Sequence, residues 1–451
     1  AWDEALPLGN GKLGCLVYGD GPLRFSLDRV DLWDTRPNPT TKEKGFCFEN
    51  LVKLVKSGKE EDWAEYCRLF DGIFLQYAYP SKITAGRLEL DFGMTTKNIR
   101  SHLDLQTAVA RVEVENGRAW LETFTSATSL VGVAKIRGRY AMNVHIPQYI
   151  SGAGDEKTHL HYPKAEVVTD GEYTYYDQQT HTDYRYGIVT LQKQREGYTE
   201  LYYTVATNDT TRDYIQAAKA ELAAAAQRGY ERLKEEHMQW WKRYWRKSNI
   251  DIKDKLLESV YYQAYYQLAS SSKKGFCPPP LQGVWTADND SLPPWKGDYH
   301  YDTNMQLTYQ SYLKGNRLAE GKVFIDYLWK LKGEFQRFAR EFFRTKGLLI
   351  PSCATLDGKP MGGWAHYALS PTMTIWAAQS FDEYWLYTGD TYFLKTRAYP
   401  FFKAVGEAIY GILEEREGKL YLPLSSSPEI YDDTRQAYLP PNSNFDLALM
   451  R

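Results

Sequence analysis

Cysteine is scarce in this chain. The five present, Cys15, Cys47, Cys67, Cys277 and Cys353, are odd in number, scattered, and never in a CxxC pair. Neither a disulfide framework nor a structural zinc site is therefore expected. Long apolar runs are lacking too: nothing approaches the roughly 18 consecutive apolar residues of a membrane-spanning helix, and no membrane partner is expected. Charge of one sign is not in excess. The formal net charge is −2, and Lys and Arg are spread along the chain. A nucleic-acid partner would call for a concentrated basic face. HExxH, Walker-type and GxSxG motifs are absent, and no cluster demands a metal or a cofactor. No signal peptide is visible; the chain starts at Ala1-Trp2-Asp3, close to structured sequence, and a removed leader is expected.

What is abundant is aromatic. Aromatics make up 15% of 451 residues, with 36 Tyr and 13 Trp. Flat rings suit the apolar face of a pyranose, and equally suit cores and interfaces. The length implies two or more cores. The first part reads as β structure. Leu105 to Glu115 alternates apolar and polar residues, Asn116-Gly117 supplies a turn, and Arg118 to Thr125 alternates again, a hairpin pattern. Leu130 to Ile136, Tyr184 to Leu191 and Glu200 to Val205 read as further strands, together a sandwich. Lys53 to Phe70 is the exception, with a helical period.

The character changes near Asn208. Gln216 to Lys247 is proline-free and rich in helix formers, a connector helix. Beyond it helices dominate: Leu256 to Ser271, Asn304 to Lys314, Glu320 to Arg344, Thr372 to Thr388 and Tyr399 to Glu414. The predicted organisation is a β-sandwich domain over residues 1–208, a helical linker over 209–252 and a helical domain over 253–451.

Two motifs fail on context. Gly9 to Gly14 matches GxGxxG, but strand-like Cys15-Leu16-Val17-Tyr18 follows where a dinucleotide site needs a helix, so it reads as a turn. His159 and His161 have no accompanying carboxylate or Cys and read as loop histidines.

Two loops carry weight. Pro280 to Gln306 concentrates Trp285, Trp295, Tyr299, His300, Tyr301, Asp302 and Asn304. Rings and hydrogen-bonding groups together suit sugar recognition. Asp302 and Asn304, two apart, point the same way if the stretch is extended and then orient a water; alternatively Asp302 caps the helix starting near Asn304. In Leu422 to Asp433, Glu429 follows Ser425-Ser426-Ser427-Pro428. A partly buried carboxyl there would serve as a general acid; a solvated surface Glu is the alternative.

Trp2 to Gly14 resembles the opening of glycoside hydrolase family 95, the α-L-fucosidase and α-L-galactosidase family. In order, Leu103 to Phe124, Leu281 to Trp285, Pro293 to Trp295, Tyr299 to Gln306, Gly363 to His366, Tyr387 to Asp390 with Arg397 to Pro400, and Ser427 to Glu429 resemble further stretches of it. The resemblance implies a β-sandwich, a helical linker and an (α/α)6 barrel, in a secreted or periplasmic enzyme without a cofactor. It implies an inverting exo-hydrolase that releases terminal α-L-fucosyl or α-L-galactosyl residues from oligo- or polysaccharides. Glu429 takes the acid role. Asp302 and Asn304 fall on an N-x-N pair that holds the attacking water, with His300 as a substrate contact and Trp285, Trp295, Tyr299, Trp364 and His366 as further candidate contacts. Asp302 departs from that pair: it would be the base itself, or mark a changed specificity. The alternative is a sugar-binding protein of this fold that has lost catalysis. The helices after Asn208 are too few for a ring of six pairs, so the remaining helices and the family's downstream aspartate are expected beyond Arg451. Asp446 is not given that role.

Overall fold

The computed structural model describes residues 2–93 and 99–451. Two compact units form, each assembled from several stretches. One comprises Ala1–Leu32, Lys82–Pro294 and Lys314–Val323, the other Trp33–Ser81, Trp295–Leu313 and Phe324–Arg451.

The first unit holds two antiparallel sheets. The smaller orders Leu6–Gly9, Leu13–Tyr18, Leu23–Arg29, Gly86–Asp91 and Ala141–His145. The larger runs Val167–Asp170, Tyr173–Tyr176, Arg185–Arg195, Tyr198–Thr207, Gly132–Arg137, Ala119–Thr125, Val109–Val114 and Ile99–Asp104. Inward residues meet between the sheets: the rings of Phe25 and Tyr203 lie edge to face at 5.8 Å. The expected hairpin is present, with Val112 opposite Leu121 and a left-handed turn at Asn116 (φ 55°) and Gly117 (φ 89°). Its first strand starts at Val109, later than the alternation implied, because Asp104 accepts from the N–H of Gln106 and closes a turn. The GxGxxG stretch is a hairpin turn, with the Asn10 side chain accepting from the N–H groups of Lys12 and Leu13. At Gly14 a Cβ would come within 1.9 Å of the Val284 carbonyl oxygen, which is why this position needs glycine.

The expected connector helix is two helices, Tyr214–Arg228 and Tyr230–Trp245, broken at Gly229 (φ 77°). A left-handed glycine cannot continue a right-handed helix. Tyr214, Ala218, Leu222, Tyr230 and Leu233 pack on Val133, Val189 and Tyr202 of the larger sheet in one apolar core. Several charges buried in this unit find partners. Lys82 Nζ donates to Asp28 at 2.5 Å, and Arg87 and the Tyr18 hydroxyl both donate to Asp288 at 2.8 Å.

In the second unit, Lys53 to Phe70 resolves into the helices Phe48–Lys56 and Glu60–Tyr66 and the π-helical turn Cys67–Asp71. The 320–344 prediction is interrupted at Leu331, giving helices Leu318–Lys330 and Lys332–Glu341. Met373–Thr388 closes at Gly389 (φ 62°), and Asp390 caps the next turn through the N–H of Phe393. No helix among the described residues is long and apolar enough to cross a membrane.

Candidate active site

The site grows from a two-residue strand. Tyr299–His300 pairs antiparallel with Cys353–Ala354, His300 opposite Cys353. Alternation along the extended chain sends Asp298, His300 and Asp302 to one face and Tyr299 and Tyr301 to the other. The tyrosines anchor the segment. Tyr299 is wholly buried and stacks on Trp33 at 5.8 Å and Tyr327 at 5.0 Å; Tyr301 stacks on Phe324 at 6.2 Å. The expected role of Tyr299 as a substrate contact is thereby corrected: its ring is used in the core.

The opposite face carries the polar groups. His300 Nδ1 lies 3.2 Å from Asp298 Oδ2 and 3.4 Å from Cys353 Sγ, and its Nε2 lies 3.4 Å from Asp302 Oδ1. Burial alone would favour neutral imidazole, but Cys353 and Asp298 outweigh it and push His300 up to about 12. The ring thus lies between two carboxylates, Asp298 and Asp302. Burial pushes the Cys353 thiol up to about 12 against the opposing pull of His300, so it stays protonated. Asp298, His300 and Cys353 are also the group that can hold a cation, their donor atoms lying within 4.8 Å of one another. Sequence reading had seen no such cluster, since strand pairing, not spacing, brings Cys353 to His300.

Asp302 is buried and accepts from the N–H of Thr303 at 2.6 Å. It does not cap the helix Asn304–Gln310; Thr303 holds that position. Asn304 opens the helix and is exposed, so the extended spacing expected of Asp302 and Asn304 is not kept. Glu429 is exposed on a turn with φ 55°, without the partial burial expected of it. One group still senses both carboxyls. Burial, then the charges of Cys353, Asp302, Glu429 and Asp298, push the Tyr367 phenol well above its usual range.

Trp364, His366 and Tyr367 form the adjoining wall. Trp364 lies edge to face with His300 at 6.2 Å and stacks towards Tyr367 at 6.3 Å. His366 is buried, its Nε2 has no partner among the described residues, and burial, opposed by Asp432, pulls it down to about 4. It is therefore a neutral hydrogen-bonding group. Trp295 is 56% exposed at φ 49°. Trp285 belongs to the first unit, where its indole N–H donates to the Leu8 carbonyl at 2.8 Å.

Three titratable groups here were not anticipated. Asp298 is fully buried with Oδ1 unpartnered among the described residues. Lys296 is buried, donates to the Tyr77 carbonyl at 2.7 Å, and is pulled down to about 7 by burial against Asp298. Asp71, from the helical stretch before the strand Gly86–Asp91, is pushed up to about 7 by burial. The D-x-H-x-D spacing of Asp298, His300 and Asp302 was a legible signal for the first; nothing local marks Asp71. Asp446 accepts from Thr372 at 2.6 Å and Ser443 at 2.9 Å, and also from Ser425, which braces the start of the Glu429 loop. A separate cavity of about 1160 Å³ in the first unit is lined by Leu105, Met238, Trp245 and Tyr262 and contains none of these residues.

Residues 204–451 match the glycosyl hydrolase family 95 catalytic domain, and residues 1–232 the N-terminal domain of glycosyl hydrolase family 65. Alpha-L-fucosidase 2 of Arabidopsis thaliana is 23% identical, over 95% of this chain and 59% of its own length. A probable alpha-fucosidase A of Aspergillus niger is 22% identical, over 94% of this chain and 61% of its own. The chain thus spans about three fifths of these relatives. A putative kojibiose phosphorylase from the human microbiome shares the fold with a TM-score of 0.63 at 13% identity, covering 93% of this chain and 57% of that one. The matched catalytic domain fills more than half of the sequence, and on that ground the chain belongs to glycosyl hydrolase family 95.

Proposed function

We propose that this chain carries most of the active site of an inverting exo-glycosidase that removes terminal α-L-fucosyl or related α-L-galactosyl residues from oligo- or polysaccharides. Its helical part, 253–451, belongs on this reading to an (α/α)6 barrel, joined by a linker over 209–252 to a sandwich over 1–208, in a secreted or periplasmic enzyme. Glu429 gives its proton to the glycosidic oxygen as the bond from that oxygen to the anomeric carbon breaks. Water attacks the opposite face and passes its proton to Asp302, while Asn304 helps orient it. The observation that carries this reading is the chain Asp298–His300–Asp302: a buried imidazole stands 3.2 Å from one buried carboxylate and 3.4 Å from the other, so Asp302 is held in place where a base is needed. Tyr367 lies near enough to both Asp302 and Glu429 to feel their charge. Inversion requires the two carboxyls about 6.5 to 9.5 Å apart, leaving room for the water.

The exposure of Glu429 favours a second reading, a sugar-binding protein without turnover. The intact protein is incubated with α-L-fucosyl and α-L-galactosyl oligosaccharides, and released sugar is followed by NMR before mutarotation. Initial appearance of the β-anomer is expected. Glu429→Gln should then abolish release while leaving binding. Binding without release by the unaltered protein would select the second reading.

A further inference from the structure

The stretch Cys67–Phe74 clasps the wall that carries Trp364. The N–H of Gly363 donates to the Phe70 carbonyl at 3.0 Å, the N–H of Ala365 to Asp71 Oδ1 at 2.7 Å, and Phe74 lies 5.0 Å from the Trp364 ring. The contact leaves no room for side chains at the turn. A Cβ on Gly362 would stand 2.2 Å from Ile73, and one on Gly363 2.8 Å from Phe74. Trp364 itself is left-handed, at φ 46°, a conformation that bulky residues keep only when their surroundings enforce it.

The residues just before this stretch meet the segment that follows Glu429. The hydroxyls of Tyr66 and Tyr438 are 2.8 Å apart, and Arg435 donates to the carbonyls of Gly58 at 3.0 Å and Lys59 at 2.9 Å. Between wall and loop, Asp71 Oδ2 is buried with no partner among the described residues. Tyr66 and Cys67 face it from its own helix, Asp433, Asp432 and Tyr438 from the loop, and His366 stands one residue past Ala365. The nearby cation, Arg435, is directed to Glu60 and the carbonyls before it.

We propose that Asp71 is a positioning residue of the active site: it pins the Trp364–His366 wall while facing the Glu429 loop, so its charge state couples the two. This rests on the function proposed above. Burial first, then Asp433 and Asp432, push Asp71 up to about 7 against the Ala365 N–H and the Tyr66 hydroxyl. Protonated, it sits quietly against the two loop aspartates; ionised, it repels them and loosens the loop. The native state therefore holds a proton that the unfolded chain has lost between about pH 4 and 7, and stability falls as pH rises through that window.

Asp71→Asn keeps an oxygen for Ala365 without the charge. In the intact protein, ionisation of Asp71 should add a further loss of turnover above pH 7 to the alkaline limb set by the general acid, and Asp71→Asn should remove that added loss. Asp71→Ala should raise KM with little change in kcat. Thermal midpoints from pH 4 to 8 read the coupling without substrate: the decline should vanish in Asp71→Asn and shrink in Asp433→Asn, with the two effects non-additive. Additive midpoint effects overturn the proposal whatever the activity, as does an active enzyme whose alkaline limb is the same with and without Asp71→Asn. Non-additive midpoints with no sugar released would overturn the proposed reaction and leave the coupling standing.

Discussion

Asp28 and Asp71 are both carboxyls withdrawn from water, one in each unit, and their surroundings differ in kind. Asp28 accepts from Lys82, from the Thr286 hydroxyl and from the Arg29 N–H. Asp71 accepts from one backbone N–H, leaves an oxygen unpartnered, and pairs with no cation among the described residues. The pattern extends to their neighbours. Asp288 in the first unit receives Arg87 and Tyr18, whereas Asp298 Oδ1 and His366 Nε2 in the second receive nothing. A buried polar atom without a partner carries a desolvation penalty of about 1–3 kcal/mol. Where such atoms gather beside perturbed titratable groups, the place is one where a ligand supplies the missing bonds. Asp28 and Asp288 are tied to cations within the fold, whereas Asp71 and Asp298 each keep a free carboxylate oxygen among the described residues.

The sharpest break would come from Glu429→Gln, expected to lower kcat by roughly a hundredfold to ten-thousandfold with the thermal midpoint unmoved. Lys82→Met is its counterpart in the first unit. It leaves Asp28 buried without its cation and should cost about 3–5 kcal/mol in denaturant unfolding. Asp298→Asn should do the reverse of Lys82→Met, lowering kcat/KM about tenfold or more by freeing His300 while costing little stability. Equal stability losses in these two variants would erase the distinction between the units. Smallest is Trp295→Ala. Its ring is 56% exposed, so stability should move by less than about 0.5 kcal/mol. KM for the oligosaccharide substrate should rise several-fold, the order of the 0.5–1.5 kcal/mol that aromatic contacts carry. An unchanged KM would remove Trp295 from the substrate contacts.

Much of the local structure was legible in the sequence. Short runs rich in β-branched and aromatic residues marked the strands Gly132–Arg137, Arg185–Arg195 and Tyr198–Thr207 to within a few residues, because such side chains favour extended chain. Gly389 ends one helix and Asp390 caps the next turn, roles intrinsic to those residue types. The break at Gly229 was missed because good helix formers on both sides masked a single glycine. His300 and Asp302 were picked out as chemistry-bearing, yet Tyr299 was placed with them, since residue type does not say which face of a strand turns inward.

The sequence by itself determined the alternation of Asp298, His300 and Asp302 against Tyr299 and Tyr301, and the family to which the catalytic stretch belongs. Both follow from local order along the chain. Only the tertiary structure decided that Cys353 stands opposite His300, that Asp302 is buried while Glu429 is exposed, and that Asp71 reaches Ala365, 294 positions away. Pairing between distant strands and the withdrawal of a carboxyl from water depend on what the rest of the chain packs around them, and no run of neighbouring residues encodes that.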